Sequence, residues 1–504
     1  MLRRLAKIIG ILLAALLLTG GVLYLLGMRL LLDGGGTPHM AWVESEATRE
    51  ERLARHRESQ RAASPAAATQ SDPKEAEGDP DAAPAGGPEG AAPTPAPSEA
   101  GAAVTEGPPP SPVPAPYWTD FRGPRRDGHY AERPVLTTWP EGGLTPVWKQ
   151  PVGGGYSSFV IARGRAFTIE QRGDEEVATA YDVATGRELW ANAWAARFRE
   201  LMGGDGPRAT PAWADGVVYA LGATGELRAL EDSSGRLLWR TNILTDAGAD
   251  NLQWGMAASP LIVDDAVVVL PGGGSGRSVA AYDRRTGTLA WSTLDDKQAY
   301  SSPMLVTLAG VRQLLVFAAT RLMGVVPGTG EILWDFPWKT QYDAHASQPL
   351  VIGDSRVFIS TGYGTGAALI ELSSADGRLS ARQIWRSTRM KNQFTSSLFH
   401  GGFIYGLDES ILACLDAATG ELKWKGGRYG YGQVMLASGH LIVLTEDGDL
   451  ALVRATPERH DEIARFSVLE GRTWNHPAMA GGFLLVRNVN EMAAFDLRWP
   501  AAGR

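Results

Sequence analysis

A short phrase recurs along this chain and limits what it can fold into more than any other feature: in most copies an Asp or Glu, then a few mostly polar residues, a Gly, and a Trp four residues later. It runs from Tyr181 to Trp190, Glu231 to Trp239, Tyr282 to Trp291, Val326 to Trp334 and Leu415 to Trp424. A sixth copy, from Ala375 to Trp385, carries four extra residues between Gly377 and the Trp, and a degenerate seventh ends at Phe466. Asp followed by polar residues and Gly predicts a hairpin turn, because the carboxylate accepts backbone N–H groups and Gly takes the left-handed position. The Trp then opens the next strand on a fixed face, where its large area wedges against a neighbouring unit. Two alternating apolar runs precede each phrase, as in Gly216–Leu221 and Glu226–Leu230, so each unit holds about four short strands.

Seven such units fit between Trp148 and Phe466 at about 45 residues each, the size of a propeller blade. The last unit, Trp474 to Leu497, has three strand-like runs and no phrase after them. Its missing outer strand is available at the start, as Pro146–Val152, and pairing the two ends completes an eighth blade. The predicted fold over 117–504 is therefore an all-β, eight-bladed propeller. Trp148, Trp190, Trp239, Trp291, Trp334, Trp385 and Trp424 are expected to dock between blades.

The N-terminal part differs in kind. Arg3, Arg4 and Lys7 precede 21 uncharged residues, Ile8 to Met28, enough to cross a hydrocarbon core as a helix. Acidic residues follow, so residues 1–7 are expected in the cytoplasm, 8–28 as an uncleaved transmembrane anchor, and the rest outside. Residues 29–116 read as a solvated charged stalk followed by a disordered linker. Fourteen of the 31 prolines fall between Ala63 and Pro116, where few apolar residues offset the entropy of ordering.

Charge and motifs exclude several functions. A net charge of -8 with no basic stripe excludes a nucleic-acid surface. The single cysteine, Cys414, excludes an internal disulfide and a thiolate metal site, and its strand setting predicts a buried apolar role. Ser157-Ser158, Ser301-Ser302 and Ser396-Ser397 recur at one point of different blades, as a structural position would, and none lies in G-x-S-x-G. Gly272–Gly276 lacks the Lys-Ser/Thr of a phosphate loop and reads as a hairpin. Asp295, Asp296 and Asp343 read as solvated loop charge. No metal cluster and no catalytic set is expected.

The phrase resembles the tryptophan-docking repeat of the pyrroloquinoline-quinone (PQQ)-like eight-bladed propellers, over about Tyr117 to Trp499. The segment Trp118–Gly128 is similar to one that opens many bacterial members. The resemblance implies one of two classes. Quinoprotein dehydrogenases hold PQQ and Ca²⁺ on the propeller axis and oxidise alcohols or sugars, and the alcohol-oxidising members share an adjacent Cys pair that is missing here. BamB-like members are non-catalytic protein-binding scaffolds, and this chain is closest to them in character. The expectation is a single-pass protein of a bacterial inner membrane, with a periplasmic propeller that binds envelope proteins and needs no cofactor. The alternative is a PQQ- and Ca²⁺-dependent oxidoreductase.

In propellers the first strand of each blade lines the axis, so the residues just before it ring one mouth of the channel. That position gives Tyr156, Arg208, Trp254, Tyr300, His345, Asn392, Tyr431 and Asn475, with Gln348, Gln393, Gln433 and His476 beside them. Lys391–Phe394 and Tyr363–Gly366 break the repeat, and local departures from a regular scaffold are candidate functional sites.

Overall fold

The computed structural model describes residues 18–24, 27–62, 118–200 and 202–499. Eight antiparallel sheets follow one another around an axis. Blades 1 to 6 span 160–195, 212–242, 261–293, 304–337, 350–387 and 398–428, each of four strands. Blade 7 spans 433–467 and gains a fifth strand, His129–Tyr130, pairing parallel to Leu436 and Ala437. Blade 8 joins the two ends of the chain: Glu491–Asp496 pairs with Trp148–Pro151, in the register Ala494↔Trp148. The closure read from the sequence is the one that forms.

The repeated phrase works between blades. Asp182, Asp283 and Asp416 each cap their own turn, Asp283 Oδ1 accepting from the N–H groups of Arg285 (3.0 Å) and Thr286 (2.8 Å). Trp148, Trp190 and Trp239 donate their indole N–H to Val183, Asp232 and Arg284 carbonyls of the next blade at 2.8 to 2.9 Å. Trp385 and Trp424 do the same to Ala417 and Thr456. Each ring of the first three lies on the next blade's turn glycine: a Cβ on Gly186, Gly235 or Gly287 would sit 2.5 to 2.7 Å from it. These glycines also have φ near +70°, so the position excludes other residues twice over.

Blade 5 explains the exception. Its four-residue insertion extends the outer hairpin to Gly366–Ala375 and Arg378–Ser387, and a Cβ on Gly377 would meet nothing within 4 Å. With that turn carried away, Trp334 of blade 4 donates within its own blade, to Gln313 Oε1 at 2.5 Å. Trp291 packs beside Gly330, with no indole hydrogen bond among those described.

The N-terminal segment departs from the expected stalk. Of the anchor predicted over 8–28, only 18–24 and 27–28 are described; 18–24 is helical, and no helix among the described residues is long and apolar enough to cross a membrane. The linker 63–116 lies outside the described residues. Residues 28–62, however, are built onto the propeller. A hairpin of Met28–Leu32 and Pro38–Trp42 is followed by a helix, Glu46–Ala62, lying against blades 1 and 8. The helix buries Leu53 and Arg57. Arg57 reaches Tyr181 Oη (2.6 Å) and Glu188 (3.2 Å), close to buried Glu170. The charge pattern that suggested a solvated face supplies instead an arginine with acidic partners far along the chain.

Candidate functional site

The inner strands are tied into a ring where they begin. The N–H groups of Ser158, Thr210, Ser259, Ser302 and Gln348 donate to Thr210, Ser259, Ser302, Gln348 and Ser396 side chains at 2.7 to 3.0 Å. Gln433 bridges the carbonyls of Phe394 and Trp474, and the Ser158 hydroxyl donates to the His476 carbonyl, which closes the ring. The paired serines are thus buried structural groups, as their recurrence suggested. Cys414 is buried among Tyr405, Trp424 and their neighbours, and burial pushes its thiol up to about 12.

At one mouth of the axis lies a cavity of about 670 Å³. Tyr156, Arg208, Trp254, Tyr300, Tyr431 and His476 of the expected ring line it, with Gln393 and Gln433. Three expected members do not. His345 stacks on Phe317 at 4.3 Å and bonds to Thr361 Oγ1 and the Ala319 carbonyl. Asn392 donates to the Leu407 carbonyl and accepts from Ser397, and Asn475 donates to the Gly155 and Ser157 carbonyls. Gln348 belongs to the ring of inner-strand bonds. The reason is alternation: Ala344 and Ala346 flank His345 and face the cavity, and Trp474 and His476 flank Asn475. In extended chain a one-residue slip turns a side chain to the other face.

The aromatic wall is larger than the repeat alignment showed. The Phe394 and Trp474 rings lie 4.6 Å apart, tilted at 41°, and Trp474 continues to Tyr156 at 5.2 Å. Trp254 and Tyr300 form a second pair and Tyr342 and Tyr363 a third. Tyr363, Gln393 and Phe394 come from the two segments that break the repeat. Burial raises Tyr156, and raises Tyr300 and Tyr431 to about 12, so these phenols stay neutral. Arg208 lies over Phe198 and Tyr156 and is anchored on the Gly204 and Gly206 carbonyls.

Two of the chain's own N-terminal parts line the cavity. Phe121, edge-on to His476, closes the inner end. Two buried arginines follow it in the opening segment, Arg122 donating to the Ser397 carbonyl (3.1 Å) and Arg126 to the Pro303 carbonyl (2.9 Å) and Asp120. Burial lowers Arg122 to about 10, and burial with Arg122 holds His476 down to about 3. At the outer end stands the hairpin tip, Asp33–Gly36.

The carboxylates here are already engaged. Asp33 caps its own turn, Glu409 pairs with Lys391 at 3.1 Å, and Glu446 accepts from Gly34, Tyr431 and Trp474. Among the described residues no group of three or more His, Cys, Asp or Glu is placed to hold a metal. This set does not fit a quinone held together with Ca²⁺.

The family model described as outer membrane protein assembly factor BamB matches residues 173–426, just over half of the chain. The chain belongs to this BamB family. Its similarity to the BamB of Marinobacter adhaerens is 27% identity over 144 residues, 29% of this chain and 31% of that protein, so the match spans about a third of the relative's length. In three dimensions the BamB-family propeller is similar to BamB from Moraxella catarrhalis, with a TM-score of 0.50 at 15% identity over 70% of this chain and 99% of that one. It is also similar to a europium-containing methanol dehydrogenase, with a TM-score of 0.56 at 12% identity over 75% and 90%. The quinohemoprotein alcohol dehydrogenase of Comamonas testosteroni gives 0.55 at 12% over 77% and 82%. Identities this low speak to the fold, which scaffold and enzyme share.

Proposed function

We propose that this protein is a non-catalytic docking propeller of the bacterial envelope, anchored by residues 8–28 and taking part in outer-membrane protein assembly. The observation that carries this reading is the mouth itself: aromatic rings and amides around a cavity whose nearby carboxylates are engaged by backbone or lysine partners. Such a surface supplies contact area and hydrogen bonds but neither a cation site nor a free general base. The family's description as an outer membrane protein assembly factor agrees with it.

Titration of the full-length protein with PQQ and Ca²⁺, read by absorbance and by dye-coupled alcohol oxidation, separates the two classes. The docking reading expects no saturable binding at tens of micromolar quinone and no dye reduction. Saturable binding with turnover overturns it.

A further inference from the structure

The hairpin tip fits the mouth in the manner of a ligand. Glu446 Oε1 accepts the Gly34 N–H at 2.7 Å, Gln393 Nε2 donates to the Gly34 carbonyl at 2.5 Å, and Arg472 donates to the Leu32 carbonyl at 2.5 Å. All three groups read main-chain atoms. A side chain meets the propeller at both glycines of the tip: a Cβ on Gly34 would lie 2.3 Å from the Tyr431 ring, and one on Gly35 2.5 Å from its hydroxyl. Asp33 holds the turn in shape by accepting from Gly35 (2.9 Å) and Thr37 (2.7 Å).

The reading groups belong to the propeller, and Glu446 and Arg472 have partners within it as well. Glu446 is held by the N–H of Tyr431 and by the Trp474 indole, and Arg472 lies over the Trp474 ring at 4.6 Å. The hairpin, by contrast, is a two-stranded sheet with no third strand among the described residues, and Leu30, Met40 and Trp42 on it are exposed. Isolated two-stranded hairpins are marginal in water. A preformed receptor thus faces a weakly held insert, with an aromatic cavity beyond it.

Resting on the docking reading above, we propose that the mouth is a receptor for a tight glycine-glycine turn presented by a partner protein. Asp33–Gly36 is then the chain's own copy of that ligand, which a partner turn displaces. Tethering places the internal copy at an effective concentration in the millimolar range, so the resting protein resists weak competitors.

The test uses full-length protein in detergent and a fluorescent cyclic peptide carrying Leu32 to Pro38, read by anisotropy. The double variant Gly34→Leu, Gly35→Leu cannot seat its own tip, and it is expected to bind the peptide at least about tenfold more tightly than the unaltered protein. A peptide with Leu in place of both glycines is expected to bind neither, and Gln393→Ala in the double variant is expected to weaken peptide binding. Equal affinity of the two proteins for the peptide, or equal binding of the Leu peptide, overturns the proposal. If those results appear while a photo-cross-linker at Tyr342 still captures envelope proteins, the turn chemistry fails and the docking reading stands. If the cross-linker captures none, the docking reading fails as well.

Discussion

At the scale of single residues, the turn glycines divide into two kinds that only packing distinguishes. Gly287 and Gly377 have nearly the same φ, +74° and +73°, but a Cβ on Gly287 would lie 2.6 Å from the Trp239 ring while Gly377 faces open space. Gly377→Ala should therefore cost about 1 kcal/mol, the left-handed backbone penalty, and Gly287→Ala about 2–4 kcal/mol, with the lost ring contact added. Urea unfolding of the two variants checks the difference. A second expectation follows from His345 and His476, which burial holds down to about 4 and about 3. An unfolded imidazole takes its proton near 6.5, so below that pH the unfolded chain binds more protons than the folded one. Stability should be full above pH 6.5 and fall as pH drops from 6.5 toward 4, by about 1.4 kcal/mol per unit for each histidine; melting curves between pH 8 and 5 measure it. Sequence made the mouth partly legible at this scale. Tyr156, Trp254 and Tyr431 were in reach because the repeat aligns them, whereas His345, Asn392 and Asn475 lie at the same aligned position with their side chains turned into the blades.

At the scale of elements, the blades were legible and the N-terminal attachments were not, for one reason. The Asp-to-Gly turn and the Trp after it are local, so their chemistry is written within ten residues of chain. The extra four residues after Gly377 showed the same locality, marking the one turn glycine of the six phrases with no tryptophan ring against it. The helix Glu46–Ala62 owes its position to pairs such as Arg57 with Tyr181 and Glu188, and Arg197 with Glu46, which no periodicity announces. Its attachment is testable. Burial would raise the Glu170 carboxyl, but Arg172, Arg57 and Arg487 outweigh burial and hold it down to about 2. Arg57→Ala removes the helix's part of that network and leaves Arg172 in place. Amide hydrogen exchange over residues 46–62 should then speed up by at least about tenfold, with the inner strands unchanged. Unchanged protection over 46–62 would mean that Leu53 and the hairpin hold the helix without the arginine.

At the scale of the whole molecule, the chain closes a ring and then blocks its axis twice with its own N-terminal segments. The strand Trp148–Pro151 completes blade 8, the ring of serine, threonine and glutamine bonds ties the inner strands together, and Phe121 with Arg122 and Arg126 fills the inner end. What remains open to solvent is an aromatic mouth with the Asp33–Gly36 tip in it. The docking role proposed above rests on that arrangement, in which the carboxylates near the mouth are engaged by backbone, indole and lysine partners. The most direct test places a photo-cross-linking phenylalanine analogue at Tyr342, which is 54% exposed at the mouth, and at Ile463, which is 38% exposed on an outer strand of blade 7. After irradiation of intact cells, the account predicts discrete adducts with envelope proteins at Tyr342 and none at Ile463. No adducts at Tyr342, or the same adducts at both positions, would contradict it.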